Sequence, residues 1–255
     1  QRAKWGKLAS TYIMMGEKCA VKHADEIIVL SKGVQDYFRE KYGRETRFIP
    51  NGVNRPVIRE ANIIKYKFGL EKDDYILYLG RLVPEKGLRY LVEAFKNVNT
   101  NKKLVIAGGS SDTDEFANEI KAMAKDDDRI IFTGFVQGEE LYELYSNAYV
   151  YTLPSDLEGM PLSLLEAMSY GNCVIGSDIA EIADVVEDKA ILFKKANVED
   201  LKEKLQMVCD DEGLVRKYKS EASEYICNRY NWEDVVSRTL DVYRRKKNCK
   251  ENVIG

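Results

Sequence analysis

An α/β fold on a doubly wound parallel sheet is what this sequence predicts, from three observations. Short β-branched runs, mostly apolar on both faces, recur along the chain. Between them lie longer segments with apolar residues at spacings of three and four. The two kinds alternate in regular order, which calls for right-handed crossovers and parallel strands covered by helices.

The strand candidates, in order, are Ile27–Leu30, Tyr75–Leu79, Lys103–Ala107, Ile130–Phe132, Tyr149–Leu153, Cys173–Ile175 and Ala190–Phe193. Each suits a central strand buried on both sides. The helix stripes are Leu88, Leu91, Val92, Phe95 and Val98; then Phe116, Ile120, Met123 and Ala124; then Leu141, Leu144 and Tyr145. Val198 to Lys247 reads as three consecutive helices, broken near Cys209-Asp210-Asp211 and at Asn231. The beginning differs: a helix from Trp5 to Lys22, a strand from Glu26 to Leu30 and a helix from Lys32 to Tyr42. Ile49-Pro50-Asn51-Gly52-Val53 is then a turn signal ahead of a polar segment. A lone strand–helix piece makes no sheet, so residues 1–45 read as the closing edge of a preceding domain. Residues 46–229 read as one complete α/β domain, and 230–255 as a helix crossing back toward the first.

Composition excludes several classes. With 255 residues the chain holds one large domain, or one and part of another. Apolar residues at 45% and charged residues at 32% are ordinary for a soluble globular protein. No apolar run is long enough to span a bilayer, and no signal-type apolar core follows Gln1-Arg2-Ala3-Lys4-Trp5. A net charge of −3 supplies no basic field, so a nucleic-acid partner is not expected. Arg244-Arg245-Lys246-Lys247 reads as a solvated helix end, with anionic lipid as the alternative contact. Cys19, Cys173, Cys209, Cys227 and Cys249 are scattered and never spaced C-x-x-C, which fits free thiols in a reducing compartment. His23 is the only histidine, which removes His-rich metal sites and points to a structural or surface role for that residue. No metal is expected.

Neither common phosphate fingerprint, G-x-x-x-x-G-K-[ST] or G-x-G-x-x-G, is present. Gly108-Gly109-Ser110-Ser111 follows a strand, either as a plain turn or as a turn near a ligand. Two other segments carry more. Gly80-Arg81-Leu82-Val83-Pro84-Glu85-Lys86-Gly87 stands at the carboxyl end of the Tyr75–Leu79 strand, with a helix opening at Gly87. Arginine offers a directional fork and lysine a point charge, the pair a diphosphate requires; two solvated loop cations would read the same way. The second segment, Pro154 to Met168, follows the Tyr149–Leu153 strand, with a helix starting at Pro161. Gly159 lets a ligand approach the backbone, and the N–H groups of Met160, Leu162 and their neighbours would form an anion site at the helix start. Glu166 sits one and a half turns into that helix beside apolar Leu162, Leu165 and Ala167. Ribose hydroxyls would satisfy an acid so placed; a solvated acid is the alternative.

Together these segments resemble the C-terminal domain of the retaining glycosyltransferases of family four, which have the two-domain GT-B fold. The family pattern has an Arg and a Lys in a G-R-x-x-x-x-K-G loop, then two glutamates eight positions apart around G-x-P-x. Arg81 and Lys86, then Glu158 and Glu166 flanking Gly159-Met160-Pro161-Leu162, match it, as do Ile49–Val53 and Thr133-Gly134-Phe135-Val136. The likeness runs from Ala24 to Tyr243, and the motifs in this order are far more specific than any one alone.

The resemblance implies a Rossmann-like doubly wound sheet forming the C-terminal half of a GT-B enzyme. Arg81, Lys86 and Glu158 would be catalytic, the cations holding the donor diphosphate and Glu158 facing the sugar. Gly80, the Gly159–Leu162 backbone (Gly159, Met160, Pro161, Leu162), Glu166 on the ribose and the main chain of Val136 on the base would bind the donor. The implied reaction is transfer of a hexosyl or rhamnosyl group from a nucleoside-diphosphate sugar to a glycan or lipid-linked acceptor. The anomeric configuration would be retained, in bacterial polysaccharide or glycoconjugate synthesis. The opening segment is similar to bacterial capsule and cell-wall enzymes, rhamnosyltransferases among them. A cytoplasmic protein follows, peripheral at the inner face of the plasma membrane through its preceding domain. That acceptor-holding domain is almost wholly absent from the sequence, so this chain alone is expected to bind donor weakly and transfer nothing. A non-catalytic nucleotide-sugar-binding module serving a partner chain is the competing reading. A GT-B epimerase is a third.

Overall fold

The computed structural model describes residues 7–110 and 114–251, with only the backbone described for 7–9 and 245–251. Gln1–Trp5, Ser111 and the side chains of Arg245, Lys246, Lys247 and Cys249 therefore lie outside the description. The chain divides into two compact units, Gln1–Asn51 with Glu233–Gly255, and Gly52–Trp232.

In the first unit α1 (Lys7–His23) precedes β1 (Ile28–Val29), α2 (Lys32–Tyr42) and β2 (Arg47–Phe48). The expectation that this piece holds no sheet is corrected: β1 and β2 pair in parallel, Ile28 with Arg47 and Val29 with Phe48. Ser31 caps α2 by accepting from the Val34 N–H at 3.3 Å, and Gly43 ends it in the left-handed region at φ 60°. Glu17 on α1 accepts from the Tyr37 hydroxyl at 2.8 Å, from Lys41 at 3.0 Å and from Tyr42, tying α1 to α2. His23 ends α1, exposed.

The second unit opens with α3 (Ile63–Phe68), a helix in the segment expected to be merely polar. There follow β3 (Tyr75–Leu79), α4 (Leu88–Lys96), β4 (Lys103–Ala107), α5 (Glu115–Ala124), β5 (Ile130–Gly134), α6 (Glu139–Asn147) and β6 (Val150–Leu153). After β6 come α7 (Leu162–Ser169), β7 (Cys173–Ser177), α8 (Ala180–Val186), β8 (Ile191–Phe193), α9 (Val198–Asp210) and α10 (Glu212–Arg229). The last helix, α11 (Trp232–Glu251), starts at the final residue of this unit and otherwise belongs to the first. The helix breaks fall at Asp211 and at Tyr230-Asn231, where the sequence placed them. Pro161 precedes α7 as its cap instead of opening it.

The six strands β3 to β8 form one parallel sheet in the order β5-β4-β3-β6-β7-β8. Residues of α4, α5 and α9 pack on one face around Ile76, Leu104 and Ile106. Residues of α3, α6, α7, α8 and α10 pack on the other around Leu77, Val105 and Val174. Tyr75, Ile76, Leu77 and Tyr78 are all fully buried, as a strand covered on both faces must be.

The chain winds outward one way from β3 through β4 to β5 and the other way from β6 through β7 to β8. The topological switch point is thus between β3 and β6, and a doubly wound sheet opens its ligand crevice there, at the strand carboxyl ends. Pairing between β3 and β6 covers only Ile76 with Val150 and Leu77 with Tyr151. Both strands therefore run on past their last paired residue into the loops that carry the motifs.

Candidate functional site

The loops after β3 and β6 are stitched together. Gly80 leaves β3 against β4, its N–H donating to the Ala107 carbonyl at 3.0 Å. Tyr78, buried under the turn, donates its hydroxyl to the Arg81 carbonyl at 3.0 Å. A short 3-10 turn, Pro84–Lys86, then places Lys86 just ahead of Gly87, the cap of α4. Gly87 has φ 69°, and a Cβ there would lie 1.9 Å from the Pro154 carbonyl oxygen. Only glycine fits so close an approach. Across this seam the Asp156 N–H donates to the Glu85 carbonyl at 2.9 Å, and the Tyr90 hydroxyl donates to Asp156 Oδ2 at 3.0 Å.

Lys86 Nζ meets Glu158 Oε1 at 2.6 Å, with the two side chains only 16% and 7% exposed. A pair so shielded interacts far more strongly than a surface pair. Arg81 is exposed and, among the described residues, paired with no carboxylate. Beyond Glu158 the Cβ position of Gly159 faces open space, with nothing within 4 Å. Met160 and Pro161 are buried, and no side chain caps α7. The Leu164 and Leu165 N–H groups turn back to the Pro161 carbonyl, which leaves those of Leu162 and Ser163 available to an anion. The side-chain oxygens Ser155 Oγ and Asp156 Oδ1 are buried without a protein partner, an arrangement that costs stability unless water or a ligand completes it.

Glu166 faces a different part of the same region. With Leu162, which is 47% exposed instead of lying on a core face, it lines a pocket of about 450 Å³. Tyr142 and Tyr145 of α6, Tyr170, Trp232 and a strap from Gly52 to Arg59 make much of the remaining wall. The volume lies in the range of small-molecule sites. The strap is anchored by α6: Ser146 Oγ accepts from the Arg59 N–H and Asn147 donates to the Arg59 carbonyl, each at 3.0 Å. Buried Glu143 accepts from the N–H groups of Asn62 and Ile64, both at 3.0 Å, capping α3 from across the fold. Arg59 reaches Glu139 at 3.0 Å. Burial raises the Glu166 carboxyl above its ordinary value, and the hydrogen bond from Tyr145 (2.9 Å) works against that rise.

Of the residues expected at the site, Gly80, Arg81, Lys86, Glu158, Gly159, Met160 and Pro161 gather on the two stitched loops. Leu162 and Glu166 turn toward the pocket. Val136 is 8% exposed, packed in the core beyond β5, and lines no part of the pocket. Sequence reading missed Tyr142, Tyr170, Arg59 and Trp232; Tyr145, read as core, is buried in the core and also lines the pocket. Gly108 serves the fold: at φ 142° its Cβ would lie 1.8 Å from the Gly80 carbonyl oxygen, so it is needed for strand-end packing.

The sheet order and the two loops at its switch point define a doubly wound α/β domain with the crevice of a GT-B glycosyltransferase. The chain belongs to the family Glycosyl transferases group 1, which it matches over residues 60–225. Residues 1–54 match a domain of unknown function (DUF1972). The uncharacterized glycosyltransferase MJ1607 of Methanocaldococcus jannaschii is 26% identical over 92% of this chain and 62% of its own length. Sucrose-phosphate synthase from Thermosynechococcus elongatus superposes with a TM-score of 0.82 at 26% identity, over 98% of this chain and 64% of that one. Anabaena HepE in complex with UDP-glucose gives 0.84 at 17% identity, over 93% and 68%. This chain thus spans less than two thirds of the first two. Among the described residues no helix is long and apolar enough to cross a membrane.

Proposed function

We propose that this chain is the donor-binding half of a retaining glycosyltransferase, taking a nucleoside-diphosphate sugar and passing the sugar to a glycan or lipid-linked acceptor. One observation carries the reading: two cations, an uncapped helix start and a shielded carboxylate converge on two stitched loops, beside a pocket holding a second carboxylate. Such an arrangement suits one ligand with an anionic centre flanked by two hydroxyl-bearing ends. In this reading Arg81 and Lys86 hold the diphosphate, with the first turn of α7 completing the anion site. Glu158 faces the transferred sugar, and the open space over Gly159 admits the ligand. The nucleoside lies in the pocket with its ribose on Glu166, and main chain near Val136 faces the base. HepE, of similar fold, was captured with UDP-glucose, which supports this donor class.

As the glycosidic bond stretches, negative charge gathers on the departing diphosphate, where the two cations, drawn onto it when the donor binds, and the helix start stabilise it. No metal ion is required by this scheme. The acceptor hydroxyl attacks the face the diphosphate leaves and passes its proton to the departing phosphate oxygen, so the new bond replaces the old on one face and configuration is retained. Bacterial polysaccharide or glycoconjugate synthesis fits, from the sequence likeness to capsule and cell-wall enzymes. The test is thermal shift with UDP-, GDP-, ADP- and dTDP-sugars. A ligand bound only by the folded state raises the melting temperature, so one donor should stand out. No shift with any of them would sink the reading.

A further inference from the structure

We propose that Tyr145 is the positioning residue of the pocket, its hydroxyl aiming the Glu166 carboxylate at a ribose diol and keeping it ionised. The inference rests on the donor reading above and adds a residue to it.

Tyr145 is 1% exposed, with its ring stacked on Tyr170 at 5.3 Å and tilted against Tyr151 at 6.2 Å. Its carbonyl accepts from Asn172 at 2.9 Å, so backbone and ring are both fixed. The hydroxyl stands 2.9 Å from Glu166 Oε2 and 3.4 Å from the Ser163 carbonyl. It has one proton for two acceptors, and the shorter contact is to the carboxylate. Oε1 of Glu166 receives no donor from the described residues, and the side chain lines the pocket. A carboxylate held by one oxygen and open at the other is ready to accept from a diol.

The surroundings show why this hydroxyl matters. The ionisable groups around Glu166 are Tyr142 and Tyr145 on α6, Tyr151 on β6, Tyr170 after α7 and Arg59 on the strap. Burial keeps Tyr145 and Tyr151 protonated and pushes Tyr170 up to about 12. Arg59 is taken by Glu139. Glu166 is in no ion pair among the described residues, so a neutral hydrogen bond is what opposes the cost of burying its charge. Without it the carboxyl moves toward its protonated form, which offers the diol a poorer acceptor.

Tyr145→Phe removes one oxygen and keeps the ring. Two measurements test the proposal: the Glu166 carboxyl titration followed by carbon-13 NMR on the ligand-free protein, and UDP affinity by calorimetry at about pH 6 and about pH 8. The Glu166 midpoint should rise by roughly one pH unit in the variant, as expected for losing a hydrogen bond to a charge. UDP affinity should fall more near pH 6 than near pH 8, reaching the order of ten-fold only where the pH lies below both midpoints. In a Glu166→Gln background Tyr145→Phe should add no pH dependence. If Tyr145→Phe does not fold, 3-fluorotyrosine at position 145, a stronger donor in an intact ring, should move the midpoint the other way. An unmoved Glu166 titration overturns the proposal, as does an equal affinity loss in the Gln background. Failure of the unaltered protein to bind UDP or any other nucleoside diphosphate overturns the donor reading instead, while the titration still decides the role of Tyr145 as the group holding Glu166 ionised.

Discussion

Replacing Gly87 by alanine should damage the fold and the site together. Its φ of 69° puts an L side chain in the left-handed region, which costs about 1–2 kcal/mol. The added Cβ would lie 1.9 Å from the Pro154 carbonyl oxygen, where real contacts essentially never fall below 3.0 Å. The two loops must therefore part by about 1 Å, the difference between those distances. That strains the 2.9 Å bond between Asp156 N–H and the Glu85 carbonyl, worth about 1 kcal/mol, and pulls Lys86 from Glu158. A total near 3 kcal/mol corresponds to a fall of roughly 6–12 °C in melting temperature for a domain of this size. Calorimetric melting of the variant beside the unaltered protein measures it. A melting temperature within about 2 °C would refute the claim that the two loops meet through this glycine.

Gly159→Ala should do the opposite, since open space surrounds the new Cβ: stability within about 0.5 kcal/mol, but UDP affinity reduced at least several-fold by calorimetry. Lys86→Met leaves the nearly buried Glu158 without its partner and should cost about 3 kcal/mol in urea unfolding, with Glu158→Gln in the same chain recovering most of it. Glu166→Gln should weaken UDP binding while raising the melting temperature above mildly acid pH. The Glu166 carboxyl is raised in the fold above its ordinary 4.5, so the fold favours the protonated form, and stability present below that value is lost as pH rises through the folded midpoint. The gap between variant and unaltered protein should therefore open with rising pH; a gap constant from acid to neutral pH would contradict it.

The sheet was legible because its strands are apolar on both faces: Tyr75–Leu79 and Lys103–Ala107 fall on the residues read from sequence. The position of the two motif loops was legible because each directly follows an apolar strand, β3 and β6. What escaped depends on partners distant in sequence. The six-residue α3 has no local side-chain cap; Glu143 supplies one from 79 positions away. The two-residue β2 exists through pairing with β1, and α8 begins without a side-chain cap. Lys86 and Glu158 stand 72 positions apart, so nothing local signals their contact. Tyr145 shares a helical stripe with buried Leu144, and at that level a core tyrosine and one donating to an acid look alike.

A crystal structure of this chain soaked or grown with UDP tests the central claim most directly. The account predicts the diphosphate between Arg81, Lys86 and the start of α7, with Lys86 turned from Glu158 and the ribose hydroxyls on Glu166 Oε1. A nucleotide bound away from the β3–β6 switch point, or one whose diphosphate leaves the Lys86–Glu158 pair intact and touches neither cation, would contradict it.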